Sequence, residues 1–446
     1  MERGKCIGET DALTDAVQML STILDIEEEV KLLHGIRVGV VCGWIAQALQ
    51  CPQPRLVYYA GLLHDVGAVG LPEHISHYAV NPPEHLRKKI EAHASIGSRL
   101  ITNIPFLEDA AAWILYHHER YDGQGYPLGL KGYDIPLEAQ IIRAADSLDV
   151  LLRRGIATKS ISMDYLRKSM RERKEQEYSS LISDVLFDEV LNKERFHILV
   201  DEEELNVENK RIPSSLGFEQ ERVYTEEELL YKAYEAAALI IDTKDRYTFG
   251  HSRRVALYSL AIAAQLSITD ERLLSDLVKS AFLHDAGKVG TPGRILVKNG
   301  PLTPIEWETM KKHVVMTERI LMNSQFMARL AGTASAHHER YDGSGYCRGL
   351  KDEDIPYLSR IISVADVFDA LTSDRPYRPS LSIDEALWYL ERRAGTHFDP
   401  VIARAGVKIL GTAKNWALHD MANVKENLFP FYFYKTVNSW RDVSSC

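Results

Sequence analysis

The sequence predicts an all-α protein built from two tandem helical domains that are related by internal duplication. Segments such as VGVVCGWIAQAL and RVALYSLAIAAQL place apolar residues at three- and four-residue spacing, whereas alternating strand patterns are nearly absent. That spacing is typical of amphipathic helices. In addition, HHERYDGQGYP at 117–127 returns as HHERYDGSGYC at 337–347, an offset of 220 positions. A repeat on this scale indicates that one fold is used twice.

The repeat keeps a constant register over most of the chain. LLHDVG at 62–67 aligns with FLHDAG at 282–287, and further upstream, after a shift of three positions, His34 aligns with His251. The segment that follows the first copy is strongly charged and has no counterpart in the second, so we expect a linker in which FHILV forms a short strand. The aromatic-rich end, NLFPFYFY, is expected to pack on a core. These features predict an N-terminal domain at 1–192, a linker at 193–225, a C-terminal domain at 226–412 and a C-terminal extension at 413–446.

Composition limits the classes of function. A length of 446 residues is enough for two to three domains with cores of their own. A net charge of -10 argues against binding to DNA or to an anionic membrane surface. The sequence has no apolar run of membrane-spanning length and no secretory signal pattern at its start, so we expect a cytoplasmic protein without membrane insertion. The five cysteines form no CxxC pair and are expected to be reduced thiols.

Histidine and aspartate positions shared by the two copies predict a metal site in each. Ten of the 16 histidines fall in shared columns, and two aspartates complete each set. Imidazole and carboxylate together suit first-row divalent ions. Seven ligands are too many for one ion, so we expect two ions that share a bridging carboxylate, an arrangement suited to phosphodiester hydrolysis. The predicted ligands are His34, His64, Asp65, His93, His117, His118 and Asp146 in the first copy, and His251, His284, Asp285, His313, His337, His338 and Asp366 in the second. The alternative for the first copy is that its histidines are packed core residues.

The second copy resembles a known family. HDAGK, the spaced His313, HHERYDGSGY and VADVFDALTSDRPYR together resemble HD-GYP domains, the bacterial subgroup of the HD phosphohydrolase superfamily. The resemblance covers about 228 to 412 and, more weakly, about 20 to 192. It implies an all-α domain with a binuclear or trinuclear metal centre, commonly iron, that hydrolyses cyclic di-GMP to the linear dinucleotide or to two GMP. Some members of the family prefer 3'3'-cyclic GMP-AMP instead.

The resemblance also implies the number of metal ions and the roles of individual residues. Trinuclear members use a glutamate four residues before the first histidine, but Val30 and Tyr247 stand there, so we expect two ions per intact site. Iron is expected first, with manganese and zinc as alternatives. One ion would be held by His251, His284, Asp285 and Asp366, and the other by Asp285, His313, His337 and His338, with Asp285 bridging.

Three basic residues of the second copy are expected to act on the phosphates. Lys288 resembles the lysine that contacts the scissile phosphate, so Asp285 and Lys288 are the predicted catalytic residues. Arg375 and Arg378 resemble the pair that grips the ligand phosphates, where arginine offers bidentate geometry. Together with Lys288 they are the predicted substrate-binding residues. The alternative for RPYR is an ordinary surface loop closed by proline.

The first copy keeps its metal ligands but lacks these basic residues. Ala68, Gly155 and Thr158 stand in place of Lys288, Arg375 and Arg378. Loss of one phosphate-directed cation typically reduces the rate by about two to three powers of ten. We therefore expect the C-terminal copy to be the main catalyst and the N-terminal copy to be a regulatory or structural partner that binds metal. Arg153 and Arg154 lie near the missing pair and are candidate substitutes.

Together these features predict a metal-dependent phosphodiesterase that acts on cyclic di-GMP, 3'3'-cyclic GMP-AMP or both. One alternative is another HD-type nucleotide phosphohydrolase, but the DGxGY and RPYR segments count against it. The other is a non-catalytic cyclic-dinucleotide sensor or scaffold, and the complete equipment of the second copy counts against that. Signalling proteins that dock on the surface of the GYP segment are the candidate protein partners, and DNA is not expected to bind.

Overall fold

The computed structural model is helical, as the sequence predicts. It describes residues 12–27, 30–31, 33–71, 75, 84–102, 104, 106–158, 161–217, 226–244, 250–374 and 379–412. Within that part of the chain, the only strands are the two-residue β1 (Ile26–Glu27) and β2 (Val30–Lys31), which pair antiparallel. None of the described helices combines the length and the apolar content that a membrane-spanning segment needs.

The described residues form two compact units. The first unit contains the described residues up to 246 together with 286–297 and 319–328. The second contains the described residues of 247–285 and 298–318 and those from 329 onwards. Helices up to residue 246 are α1 (Ala12–Leu24), α2 (His34–Ala48), α3 (Pro54–Leu63), α4 (Arg87–Ile101), α5 (Ala110–Tyr116), α6 (Leu137–Ala157), α7 (Met163–Arg171), α8 (Ser180–Val185), α9 (Lys193–Val200), α10 (Glu202–Ser215) and α11 (Glu226–Lys244). The later helices are α12 (His251–Gln265), α13 (Glu271–Leu283), α14 (Gly293–Leu296), α15 (Pro304–Met322), α16 (Ala331–Ala334), α17 (Tyr357–Thr372), α18 (Ile383–Arg392) and α19 (Pro400–Leu410).

Corresponding helices of the two copies begin at matching local signals. Helices α6 and α17 each begin directly after a proline, Pro136 and Pro356. Helices α7 and α18 each begin after a serine whose hydroxyl accepts a hydrogen bond from a backbone N–H of the first turn, Ser162 from Tyr165 and Ser382 from Glu385. Such a cap satisfies a donor that has no partner within the helix. The same signals at the same register explain why corresponding helices of the two copies begin at equivalent positions.

The described part of the segment that the sequence assigns to the linker, residues 193–217, consists of helices α9 and α10, so the expected strand at FHILV is wrong. FHILV is the end of α9, which begins at a cap formed by Asn192, whose side chain accepts from the N–H of Arg195. Asp201 then caps α10 by accepting from the N–H groups of Glu203 and Glu204. These caps favour helices on both sides of Asp201, and they outweigh the strand propensity of a short Ile-Leu-Val run.

Helix α10 packs on the first copy. The Trp44 indole N–H donates to the Glu208 carboxylate at 3.0 Å, and the Tyr58 hydroxyl donates to the side-chain oxygen of Asn209 at 2.8 Å. Ile212 is buried beside Gly43, where an added Cβ would lie 2.8 Å from the Ile212 side chain. Helix α10 therefore contributes to the core of the first unit.

Helix α11, which the sequence places in the C-terminal domain, packs against α1 in the first unit. The boundaries of the repeat in the sequence and of the units in the structure thus differ. The C-terminal extension at 413–446, and with it the expected packing of NLFPFYFY, lies outside the described residues.

The packing of α10 predicts that Ile212→Ala destabilises the first unit. Ile212 is 2% exposed, so its truncation is expected to lower the free energy of unfolding by about 2–5 kcal/mol. Val207 lies on the same helix but is 61% exposed, so Val207→Ala should change stability by less than about 0.5 kcal/mol. Urea unfolding of both variants followed by circular dichroism measures the difference. Equal stability of the two variants would contradict the packing role of α10.

Candidate metal centre

Five chain segments in each copy bring the predicted ligands together. In the second copy these are the start of α12, the end of α13 with the following turn, the middle of α15, the turn after α16 and the middle of α17. In each copy the ligand atoms of neighbouring residues lie within 4.8 Å of one another. The groups are Asp65, His93, His117 and His118, and His34, His64 and Asp146, in the first copy; and Asp285, His313, His337 and His338, then His251, His284 and Asp285, then His284, His337 and Asp366, in the second.

The carboxylate of Asp285 lies between two groups of imidazoles. Its Oδ2 is 3.7 Å from Nε2 of His251 and 3.3 Å from Nε2 of His284. Its Oδ1 is 3.5 Å from Nε2 of His313 and 3.8 Å from Nε2 of His337. Since each oxygen faces a different group, this carboxylate has the geometry of a ligand shared by two ions.

Asp65 repeats this arrangement in the first copy. Its Oδ2 is 3.2 Å from Nε2 of His34 and 3.3 Å from Nε2 of His64. Its Oδ1 is 3.3 Å from Nε2 of His93 and 3.8 Å from Nε2 of His117. The duplication has therefore preserved the division of the carboxylate oxygens between two groups as well as the residue types.

Hydrogen bonds of the Nδ1 atoms orient the second-copy rings. A backbone carbonyl three residues earlier accepts from Nδ1 of His284 at 2.7 Å, of His313 at 2.6 Å and of His337 at 2.7 Å. With the ring proton on Nδ1, the Nε2 lone pair points into the cluster. Nε2 of His284 and Nε2 of His337 are buried and make no hydrogen bond within the described part of the chain. Buried polar atoms normally have partners, so these two lone pairs fit a metal ion.

An aspartate that the sequence analysis missed holds the first histidine of the second copy. Nδ1 of His251 donates to Oδ2 of Asp369 at 2.7 Å, and Nε of Arg254 donates to Oδ1 of the same carboxylate at 2.6 Å. Asp369 is 1% exposed. The carboxylate therefore fixes the ring so that Nε2 of His251 faces Asp366 at 3.3 Å.

Asp149 has the same role in the first copy. It accepts from Nδ1 of His34 at 2.7 Å, from Nε of Arg153 at 2.6 Å and from Nε of Arg37. Arg153, a candidate substitute for the missing phosphate-binding arginines, thus donates to the carboxylate that orients the predicted ligand His34. The register of the repeat could have revealed this role, because Asp149 aligns with Asp369, each three residues after a predicted ligand aspartate.

The electrostatics of the second cluster favour cation binding. Burial favours the neutral acid of Asp366, but the hydrogen bond and charge of His251 outweigh it and hold the pKa of Asp366 well below its usual value. Burial, together with the charge of His284, lowers the pKa of His337 to about 3. Burial also opposes the protonated form of His251, but hydrogen bonds to Asp366 and Asp369 outweigh it and raise the pKa of His251 to about 10. Metal binding requires an ionised carboxylate and a neutral imidazole, so the lowered pKa values of Asp366 and His337 favour it, whereas a cation that binds at His251 must displace a proton.

The HHERYDGxGY segment places a tyrosine against the last histidine of each cluster. Tyr346 lies over His338 with a centroid distance of 4.9 Å and an interplanar angle of 32°. The buried Glu339 carboxylate accepts the backbone N–H groups of Arg348 at 2.7 Å and Leu350 at 3.1 Å, which closes the loop. A Cβ at Gly345 would lie 2.4 Å from a backbone nitrogen, so this close turn requires glycine. The motif is therefore a loop built to hold its tyrosine beside a ligand.

The predicted phosphate-binding residues are placed only in part. Lys288 lies, half-buried, on the 3₁₀ turn Ala286–Gly290, which directly follows Asp285 in the chain. Arg375 and Arg378 lie outside the described residues. In the first unit, a cavity beside His34, His64 and Asp65 is lined by Ala68 and by two basic residues that the sequence analysis did not consider, Lys244 and Arg294.

The chain is similar to proteins of known activity. The family described as HD domain matches residues 18–180 and 235–402. The 3'3'-cGAMP-specific phosphodiesterase 3 of Vibrio cholerae is 32% identical over 320 residues, which cover 72% of this chain and 67% of that protein. A cyclic di-GMP phosphodiesterase of Thermotoga maritima is 40% identical over 192 residues, which cover 42% of this chain and 52% of that protein. A crystal structure of a cyclic GMP-AMP specific phosphodiesterase of V. cholerae matches with a TM-score of 0.60 and 26% identity over 90% of this chain and 97% of that one.

The support of His251 by Asp369 predicts that Asp369→Asn weakens metal binding at the second cluster. Removal of such a supporting carboxylate typically costs about 10- to 100-fold in metal affinity. A chelator competition titration measures the loss. The control is Asp374→Asn, because Asp374 is an exposed carboxylate nearby that accepts the backbone N–H of Ser380. Equal metal affinity in the two variants would show that Asp369 does not position the ligand.

Proposed function

The chain belongs to the HD-domain family, in the HD-GYP subgroup of cyclic-dinucleotide phosphodiesterases, and we propose that its C-terminal copy, at 226–412, carries the hydrolytic activity. The observation that supports this most is that Asp285 lies between two groups of imidazoles and is directly followed by the turn that carries Lys288, where the first copy has Ala68. Two of those imidazoles, His284 and His337, direct Nε2 atoms that make no hydrogen bond within the described residues into the cluster. In the first copy, Nε2 of His118 and Nε2 of His93 lie 3.2 Å apart, within hydrogen-bond distance of each other.

The seven ligands of the second copy would hold two divalent ions. His251, His284, Asp285 and Asp366 would hold one ion, and Asp285, His313, His337 and His338 the other. Iron is proposed first, because the resemblance to HD-GYP domains implies it. Manganese and zinc are alternatives, because imidazole and carboxylate accept all three metals. Bound ions would supply the charge that lowers the pKa of water and stabilises the phosphoryl oxygens. Asp369 would keep His251 oriented throughout, and Tyr346 would cover one side of His338.

Basic residues of the second copy would act on the substrate. The proposed reaction breaks a P–O3' ester bond of the ring by attack of water on phosphorus, which gives the linear dinucleotide, and a second cut would give two mononucleotides. Lys288 is proposed to stabilise the developing phosphoryl charge, since its turn directly follows Asp285. Arg375 and Arg378 are proposed to bind the phosphates.

The N-terminal copy is proposed to be a regulatory or structural partner that binds metal. Its positions equivalent to Lys288, Arg375 and Arg378 are Ala68, Gly155 and Thr158. Arg153 does not replace the missing pair in this proposal, because its Nε donates to Asp149, the carboxylate that supports His34. The exposed part of the GYP loop is the proposed docking surface for signalling proteins.

The proposed substrates predict the outcome of a turnover assay. Protein loaded with Fe²⁺ or Mn²⁺ should convert cyclic di-GMP, 3'3'-cyclic GMP-AMP or both to the linear dinucleotide, measured by chromatography of the products. The similar proteins are named for one or the other of these two substrates. Binding of a cyclic dinucleotide without turnover of either would favour a sensor or scaffold. Turnover of nucleoside phosphates alone would favour another HD-type phosphohydrolase.

The proposed division of labour predicts unequal effects of two matched substitutions. Asp285→Ala removes the shared carboxylate of the second cluster and should reduce turnover by at least about 10²-fold, because the charge stabilisation of the cluster is lost. Asp65→Ala makes the same change in the first cluster and should leave most of the turnover intact. Steady-state rates of both variants at saturating metal measure the difference. Loss of turnover in Asp65→Ala but not in Asp285→Ala would reverse the assignment of the two copies.

A further inference from the structure

An arginine enters the first metal cluster at a position where the second copy has a serine. Nη1 of Arg143 lies 3.1 Å from Nδ1 of His118, and Nη2 of Arg143 lies 3.3 Å from the carboxylate of Glu177. In the register of the repeat, Arg143 aligns with Ser363. The two clusters have the same seven ligand types. The exchange of arginine for serine is therefore a difference directly beside two matching sets of predicted metal ligands.

The contact determines which nitrogen of His118 carries the ring proton. A guanidinium group donates hydrogen bonds and cannot accept them, so Nδ1 of His118 accepts from Arg143. A neutral ring whose Nδ1 accepts carries its proton on Nε2. The other imidazoles of this cluster have the opposite arrangement, since Nδ1 of His93 and of His117 donate to backbone carbonyls and leave Nε2 as the acceptor.

A chain of hydrogen bonds then engages the Nε2 atoms of two of the four predicted ligands without an ion. Nε2 of His118 lies 3.2 Å from Nε2 of His93, and its proton can be donated to the lone pair there. These hydrogen bonds run from Arg143 through His118 to His93. A metal ion at this position would require those same two Nε2 atoms as ligands. It would also lie near the fixed positive charge of the guanidinium, which repels a cation.

The second copy has no equivalent chain among its described residues. Oγ of Ser363 is buried and makes no hydrogen bond there, and a serine hydroxyl carries no charge. Nε2 of His337 is likewise buried without a hydrogen bond in the described part of the chain. The Nε2 lone pair of His337 is therefore available to an ion, whereas the hydrogen-bond chain from Arg143 engages the Nε2 atoms of His118 and His93.

We propose that Arg143 closes the metal position formed by Asp65, His93, His117 and His118. The first copy then holds one ion, at His34, His64 and Asp146 with Asp65, while the second copy holds two. The whole chain binds three ions rather than four. This inference rests on the proposed metal binding of both copies but not on hydrolysis, so the number of ions can be measured without any substrate.

The test counts metal ions and their coupling in the full chain. Protein is loaded with Mn²⁺, desalted and measured by elemental analysis, and electron paramagnetic resonance separates isolated Mn²⁺ from spin-coupled pairs. We expect three ions per chain, one isolated and two coupled. Arg143→Ser, which introduces the residue of the second copy, should give four ions and convert the isolated signal into a second coupled pair. Arg143→Met removes the charge with little loss of volume and should do the same.

Two further variants make the comparison specific. Arg173→Ser is the matched control, because Arg173 also pairs with Glu177, with its Nε 3.5 Å from Oε1, and should leave three ions. Ser363→Arg places the arginine in the second copy and should remove one ion there, which leaves two isolated ions per chain. Circular dichroism melting shows which variants are folded.

Particular outcomes would overturn the inference. Four ions in the unsubstituted chain would do so, as would a count that stays at three in both folded Arg143 variants. A gain of one ion in Arg173→Ser would also count against it, because the effect would then not be specific to the contact with His118. Failure of the proposed function would look different: the metal counts would follow the expected pattern while neither cyclic dinucleotide was hydrolysed.

Discussion

One carboxylate in each copy, the buried Asp285 or the half-buried Asp65, is the interaction around which each metal cluster is arranged. Each of its oxygens faces a different set of imidazole nitrogens. A buried carboxylate costs several kcal/mol unless positive charge compensates it. In the second copy the groups that face this carboxylate are imidazoles on four chain segments, so these segments must meet at this point. The turns after α3 and α13, which hold the two carboxylates, are thus fixed by electrostatics as well as by packing.

The histidine ligands are oriented by a common pattern, in which a neighbouring acceptor holds the ring proton on Nδ1. Backbone carbonyls do so for His284, His313 and His337, and carboxylates do so for His251 and His34. Because Nδ1 is engaged in every one of these rings, Nε2 is left to face the cluster. His118 departs from the pattern, since its Nδ1 accepts from a guanidinium. Two clusters with identical ligand types can therefore differ in their capacity for metal.

The sequence predicted the helical fold and the residues that meet in each cluster because duplication placed every ligand column twice. The same register contained Asp149 and Asp369, but a carboxylate three residues after a ligand looks like an ordinary helical position until its contact with His34 or His251 is known. The exchange of Arg143 for Ser363 was also visible. Its meaning depended on a contact with His118, 25 residues away, which only the fold supplies.

The helical form of FHILV and the position of α11 could not be predicted from the repeat. In FHILV the strand propensity of a few apolar residues competes with caps at Asn192 and Asp201, and the caps prevail. For α11, the sequence pattern shows an amphipathic helix but does not show which surface it covers. Its partner is α1, more than two hundred residues earlier, in the first unit.

The turn Ala286–Gly290, which carries Lys288, illustrates a consequence of these differing boundaries. It follows Asp285 in the chain, yet it packs with α1, α11 and β1 of the first unit. The boundaries of the repeat therefore differ from those of the compact units of the structure. Deletion of the N-terminal copy would remove packing partners of a segment that belongs, by descent, to the other copy. The N-terminal copy thus provides a scaffold for the turn that carries Lys288, whatever chemistry its own cluster performs.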